Sequence, residues 1–317
     1  MSTSEKPSHA QQTGPEGSSL PAVMIWRSAE RLDAIASDDR SLRYGDGLFE
    51  TVRVLAGKPV LMEAHWARLS VGCERLGIPD ESIWRAHVAA FLAGRHDGIV
   101  RIQVSAGSGG RGYGRPSPCQ PVLVLSWFDE SMPPRAWSTQ GICIGETRLG
   151  LAEQPALAGI KHSNRLEQVL LRQELSAMPE CQEALVYDQS GRVVEGVFSN
   201  VFFISNGQLH TPALSRCGVR GVLRDALLNA CNERAMPVLI GDFTREDLLS
   251  AEAIFFVNSI NGLWPVRRWC VAARSESARL NLSQPVGENL RGHDKAWRID
   301  PITRQCQDII APWFANA

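Results

Sequence analysis

Gly159-Ile160-Lys161-His162-Ser163-Asn164-Arg165 is the stretch on which the reading of this chain turns. It follows the apolar pair Leu157-Ala158 and precedes a segment with helical spacing, roughly Asn164 to Ala177. Lys161 therefore sits at the end of one element and just before another. A lysine becomes a nucleophile only where its amine is positioned and partly desolvated. Alone, a lysine in such a place is most often a solvated surface side chain. Its neighbours in the sequence decide between the two.

Two further segments supply those neighbours. Glu195 stands at the end of the short strand pattern Val193 to Glu195, followed by Gly196-Val197-Phe198-Ser199-Asn200-Val201-Phe202. Taken alone, it reads as an edge-strand carboxylate in water. Gly218-Val219-Arg220-Gly221-Val222-Leu223-Arg224 then opens a helix, roughly Gly221 to Arg234, whose first backbone N–H groups, those of Val222 and Leu223, make an anion site. A lysine amine, a carboxylate and a glycine-led helix start, in that order, match the needs of pyridoxal phosphate. The lysine forms the Schiff base, the acid faces the pyridine nitrogen and the helix start takes the phosphate. Ser259, after the apolar strand Ala253 to Val257, could add a hydroxyl to that phosphate, and Arg53 a bidentate charged contact.

The remaining pattern reads as mixed α/β, of the α+β type. Leu48 to Leu55 is a strand, and Gly57-Lys58-Pro59 turns the chain after it. Met62, Trp66, Leu69, Cys73 and Leu76 recur at helical spacing until Gly77 and Pro79. A second helix, roughly Asp80 to Ala93, leads to strands at Gly98 to Ala106 and Val122 to Phe128. The Pro-rich run Met132-Pro133-Pro134-Arg135 marks a boundary. Four parts follow: a polar leader over 1–20, a small α+β domain over 21–135, a larger cofactor-binding domain over 140–285, and a polar tail over 286–317 with no assigned role.

Composition limits the function classes. The 317 residues carry a formal net charge of -1, which gives no electrostatic case for nucleic acid or an anionic membrane. No apolar run reaches the length of a spanning helix. The leader lacks the apolar stretch of a secretory signal. Eight cysteines occur singly, with no C-x-x-C pair. They read as reduced thiols of a cytoplasmic protein. No paired Cys–His spacing or H-E-x-x-H supports a metal. Gly107-Ser108-Gly109-Gly110-Arg111-Gly112 matches G-x-G-x-x-G in letters, yet Tyr113-Gly114-Arg115-Pro116 after it cannot open the helix that a dinucleotide fold requires. That loop reads instead as a rim carrying Arg111 and Tyr113, suited to a substrate carboxylate.

Taken together, the segments resemble the class IV, pyridoxal-phosphate-dependent aminotransferase family. The family motif is carried by Glu195, Asn200-Val201-Phe202, Leu209-His210-Thr211 and Val219-Arg220-Gly221-Val222-Leu223-Arg224. Three further runs resemble the lyase branch of the family: Arg43 to Thr51, Gly107 to Tyr113, and Leu157 to Gln168. The resemblance covers about Asp38 to Arg268. It implies a two-domain fold of type IV, like that of D-amino acid aminotransferase, and a homodimer with loops reaching each site from the partner. It implies Lys161 as the Schiff-base lysine and proton carrier, Glu195 on the ring nitrogen, and Arg53, Val222, Leu223 and Ser259 on the phosphate. Arg111 and Tyr113 match the substrate-carboxylate loop. The activity implied is elimination of pyruvate from 4-amino-4-deoxychorismate, leaving 4-aminobenzoate for folate synthesis. The alternative is amino transfer from branched-chain or D-amino acids.

Overall fold

The computed structural model describes residues 20–270 and 295–315. Most of the expected leader, residues 1–19, lies outside them, as does 271–294. The first unit contains β1 (Val23–Arg27), β2 (Glu30–Leu32), α1 (Arg40–Tyr44), β3 (Gly47–Leu55), β4 (Lys58–Pro59), α2 (Met62–Leu76), α3 (Ile83–Leu92), β5 (Gly98–Ser105) and β6 (Val122–Phe128). Its six strands form an antiparallel sheet in the order β2-β1-β6-β5-β3-β4. One face buries Val52, Val54, Val100, Ile102 and Leu123 against Trp66, Leu69 and Cys73 of α2 and Trp84, Val88 and Phe91 of α3. The 3.6-residue period of those helical positions is the period read from the sequence.

The second unit contains α4 (Arg135–Gln140), β7 (Ile142–Glu146), α5 (Leu166–Ser176), β8 (Glu183–Tyr187), β9 (Val193–Gly196), β10 (Asn200–Ser205), β11 (Gln208–Pro212), α6 (Val222–Glu233), β12 (Val238–Gly241), α7 (Arg245–Ser250), β13 (Ala253–Asn258), β14 (Gly262–Trp269), β15 (Lys295–Ala296) and α8 (Pro301–Ala315). Its nine-stranded sheet runs β12-β11-β10-β13-β14-β7-β8-β9, with β15 paired to β14. Three pairings are parallel: β11 with β12, β14 with β7, and β7 with β8. Strand β10 shows why both faces are covered. Val201 and Phe203 enter the core that holds Trp264 and Phe243, whereas Phe202 and Ile204 enter the core under α6 and α8. Alternation of period two sends successive side chains to opposite faces, and here both faces are apolar.

Two features differ from the sequence reading. The segment 286–317, read as a polar tail, contains α8, which buries Cys306, Ile309 and Ile310 beside Leu223 and Leu227 of α6. Strand β14 was not foreseen either, yet it holds the middle of the larger sheet. Gly107 to Gly112 is a loop, and Tyr113-Gly114-Arg115-Pro116 after it opens no helix, as expected. All eight cysteines are free thiols. Among the described residues no helix is long and apolar enough to cross a membrane, and no group of side chains could hold a metal ion.

Candidate active site

The lysine segment is stitched to both units by backbone hydrogen bonds. Gly159 N–H donates to the carbonyl of Gly218 at 2.9 Å, and Arg220 N–H donates to that of Gly159 at 3.1 Å. On the other side Phe49 N–H donates to the carbonyl of Lys161 at 3.0 Å, and Ser163 N–H to that of Gly47 at 2.8 Å. Gly159 has φ +82°, and a Cβ there would lie 3.2 Å from the Arg220 side chain. The glycine is thus required both by its backbone conformation and by the close approach of the loop before α6.

Lys161, Glu195, Val222 and Ser259 line one cavity of about 1000 Å³ between the units. The Lys161 amine lies 4.6 Å from the centre of the Phe49 ring. Removal from water lowers its pKa to about 7, assisted by the charges of Arg68 and Arg165 and opposed by Glu50 and Glu195. Near neutral pH a large share of the amine is therefore the free base. Glu195 is buried rather than an edge-strand acid in solvent. Burial pushes its pKa up to about 7, against a hydrogen bond from Val219 N–H to Oε2 at 2.9 Å and the charges of Arg165, Lys161 and Arg224. Asn200 holds the neighbouring loop in place. Its Nδ2 donates to the Val219 carbonyl at 2.8 Å, and its Oδ1 accepts from Gly221 N–H at 2.9 Å. A Cβ on Gly221 would meet that Oδ1 at 2.0 Å, so only glycine fits at this helix start.

Arg53 is fully buried, donating from Nε to the Ile260 carbonyl at 3.2 Å and from Nη1 to that of Glu130 at 2.6 Å. Its Nη2 is buried with no hydrogen-bond partner among the described residues. Ile260 adjoins Ser259, so the Arg53 guanidinium reaches the turn that carries that hydroxyl, although Arg53 itself does not line the cavity. Asn258 Oδ1 accepts from Ile260 N–H at 3.0 Å and Asn261 N–H at 2.7 Å, which fixes the turn. The start of α6 has no side-chain cap. A buried orphan donor, a fixed turn and an uncapped helix start fit a phosphate. A buried carboxylate that lacks a cationic partner at hydrogen-bond distance fits a protonated ring nitrogen. The residues present therefore fit pyridoxal phosphate.

Arg111 and Tyr113 do not join this constellation within the chain. Neither lines the cavity, and Tyr113 is 87% exposed, its ring 5.4 Å from that of Tyr44. Arg40 fixes the loop to α1 by donating to the carbonyls of Tyr113 at 2.8 Å and Gly114 at 3.0 Å. His162 lies beside the lysine, but burial, with the Arg165 charge, lowers its pKa to about 4, so it is neutral and no cationic neighbour.

Sequence reasoning missed a second group beneath the amine. Arg68 lines the cavity and donates from Nε to Glu50 Oε1 at 2.8 Å and from Nη1 to the Arg220 carbonyl at 3.0 Å. His65 Nδ1 lies 2.6 Å from Glu50 Oε2. Burial would raise the Glu50 pKa, but the Arg68 charge and hydrogen bonds, with His65, bring it to about 2. The available signal was His65-x-x-Arg68, one turn apart on α2, facing an acid in the adjoining strand.

The family description "Amino-transferase class IV" matches residues 47–269, and the chain belongs to this family. Among curated relatives, an aminodeoxychorismate lyase of Vibrio harveyi is 35% identical over 249 residues, covering 77% of this chain and 90% of the relative. A 4-amino-4-deoxychorismate lyase of Pseudomonas aeruginosa superimposes with a TM-score of 0.78 at 39% identity, over 90% of this chain and 97% of that one. More distant is a protein of Methanocaldococcus jannaschii named as a putative branched-chain-amino-acid aminotransferase, 28% identical over 72% of this chain and 80% of its own length.

Proposed function

We propose that the chain is an aminodeoxychorismate lyase, converting 4-amino-4-deoxychorismate to 4-aminobenzoate and pyruvate in folate synthesis. One observation carries the chemistry: the lysine amine with a pKa near 7 shares its cavity with the buried acid Glu195. The lyases of Vibrio harveyi and Pseudomonas aeruginosa, at 35% and 39% identity, favour elimination over amino transfer, being nearer in sequence than the aminotransferase at 28%.

Pyridoxal phosphate, when bound, supplies a positively charged ring that accepts electrons from the carbon bearing the substrate amine. Lys161 is the residue that carries it and the base that takes the proton from that ring carbon. Glu195 keeps the pyridine nitrogen protonated. Arg53, the N–H groups of Val222 and Leu223, and the Ser259 hydroxyl hold the phosphate. With the proton on Lys161, the C–O bond to the enolpyruvyl group breaks, the ring becomes aromatic, and the released enol becomes pyruvate. Aromatisation makes the elimination strongly downhill, so the protein's main task is removal of the proton.

We place Arg111 and Tyr113 at the carboxylate of substrate bound by a second copy of the chain. This assignment is supported by their outward position on a loop fixed by Arg40 and by the homodimer that the family resemblance implies. Eight free thiols support a reducing compartment, the cytoplasm. The test is to supply purified protein with 4-amino-4-deoxychorismate, and separately with branched-chain or D-amino acids plus 2-oxoglutarate. Formation of 4-aminobenzoate supports the lyase. Efficient amino transfer with no aminobenzoate replaces it with an aminotransferase.

A further inference from the structure

Helix α5 segregates its charges by face. Arg165 at its start, Gln168, Arg172 and Ser176 follow one another at intervals of three and four residues, and all four line the cavity. The acids of the same helix are engaged elsewhere. Glu167 Oε1 accepts from Ala152 N–H at 2.9 Å, and Glu174 accepts from Leu149 N–H at 3.1 Å and from Arg148 N–H. The cavity face is left with two cations and no anion.

Those cations lack carboxylate partners at hydrogen-bond distance. Arg165 is locked by Nε donating to the His162 carbonyl at 2.9 Å and Nη2 to the Ile160 carbonyl at 2.9 Å, the carbonyls of the two residues flanking Lys161. Among the described residues its Nη1 is neither hydrogen-bonded nor a buried orphan, so it is open to a ligand. Arg172 lies over the Phe198 ring, 5.5 Å from its centre, and makes no ion pair among the described residues. A guanidinium pinned by backbone carbonyls spends little entropy in gripping a planar anion.

We propose that this face of α5 reads a substrate with two carboxylates, one taken by Arg165 close to the amine and the other by Arg172 further out, with Gln168 between, the loop of Arg111 and Tyr113 from a second copy closing over the outer carboxylate. Seven helical residues separate the two backbones by roughly 10 Å, a gap that arginine side chains can narrow onto the ends of one small molecule. The inference rests on the lyase reading, whose substrate is a dicarboxylate.

Benzene-1,3-dicarboxylate, which has no amine and cannot react, tests it by calorimetric binding to the pyridoxal-phosphate-loaded protein beside benzoate. Wild-type protein is expected to prefer the dicarboxylate. Arg172→Gln and Arg165→Lys should each weaken it about tenfold or more, the scale of one lost charge-assisted hydrogen bond. Benzoate should lose less. Arg172→Gln breaks no hydrogen bond of the fold, so it remains informative if Arg165→Lys disturbs the lysine segment. Equal binding of the two probes by wild type, or unchanged dicarboxylate binding in Arg172→Gln, overturns the proposal. Arginine-dependent binding in a protein that forms no 4-aminobenzoate would retain this site and remove the lyase. A working lyase without that dependence would do the reverse.

Discussion

Arg68 grips Glu50 with two nitrogens, and both charges act on the amine of Lys161, the proposed base. Glu50 is almost fully buried, so Arg68 both neutralises it and sets a positive charge near Lys161. Arg68→Met is expected to raise the Lys161 pKa from about 7 and to shift the acid limb of the pH–rate profile to higher pH. The variant should also lose about 3–5 kcal/mol of stability, because Glu50 is left buried and uncompensated. Arg68→Lys should restore much of the pH profile. Rate profiles and urea unfolding of the three proteins provide the check.

Lys161→Ala should abolish the yellow colour of the loaded protein and reduce turnover by several orders of magnitude. In protein freed of cofactor, Lys161→Met supplies a linkage test. The folded pKa is about 7 and the ordinary value 10.5, so between them the unfolded chain holds a proton that the folded chain lacks. Wild type therefore gains stability relative to Lys161→Met as pH rises through that window. A difference between the two that stays flat from pH 7 to 10 would mean that the amine is not desolvated.

Glu195 gives the opposite sign. Its pKa rises from 4.5 to about 7 on folding, so the folded chain holds the extra proton between those values. Cofactor-free wild type should lose stability relative to Glu195→Gln as pH rises from 4.5 to 7. In the loaded enzyme Glu195→Gln should keep the cofactor and slow turnover about a hundredfold or more, the scale of losing a preorganised charge partner.

Arg53→Met removes the buried nitrogen assigned to the phosphate. Affinity for pyridoxal phosphate should fall by about tenfold to a hundredfold. Affinity for pyridoxal, which lacks the phosphate, should change much less. Equilibrium dialysis with both compounds separates the two, and equal losses would mean that Arg53 acts through the fold alone.

Ile310→Ala tests α8 as a core element. Ile310 is buried beside the α6 core, and truncation should cost about 2–5 kcal/mol. A loss within 0.5 kcal/mol by thermal or urea unfolding, the range of surface substitutions, would make α8 peripheral.

What was legible in the sequence follows from how tightly chemistry restricts residue type. A lysine before a helix, an acid ending a strand and a glycine at a helix start are each what the proposed chemistry asks for, and the cavity holds Lys161, Glu195 and Val222 together. Arg53 read as one strand arginine that could face water or core, and its burial depends on β5 and the 258–261 turn, distant in the chain. Arg68 looked like any other helical arginine until tertiary contacts gave it Glu50 and the Arg220 carbonyl as partners. The address of Arg111 and Tyr113 is not written locally, because a loop's sequence does not say which cavity it faces. In contrast, Ile302, Cys306, Ile309, Ile310 and Trp313 carried a helical period that polar surroundings obscured.

The four peptide hydrogen bonds around Lys161 have a consequence for how the enzyme opens. Residues 159 and 220 clasp one body and residues 47, 49, 161 and 163 the other, so the amine sits on a welded seam and not at a hinge. Prising the two sheets apart would unzip that seam and move the base itself. Coenzyme and product therefore exchange past a floor that stays still.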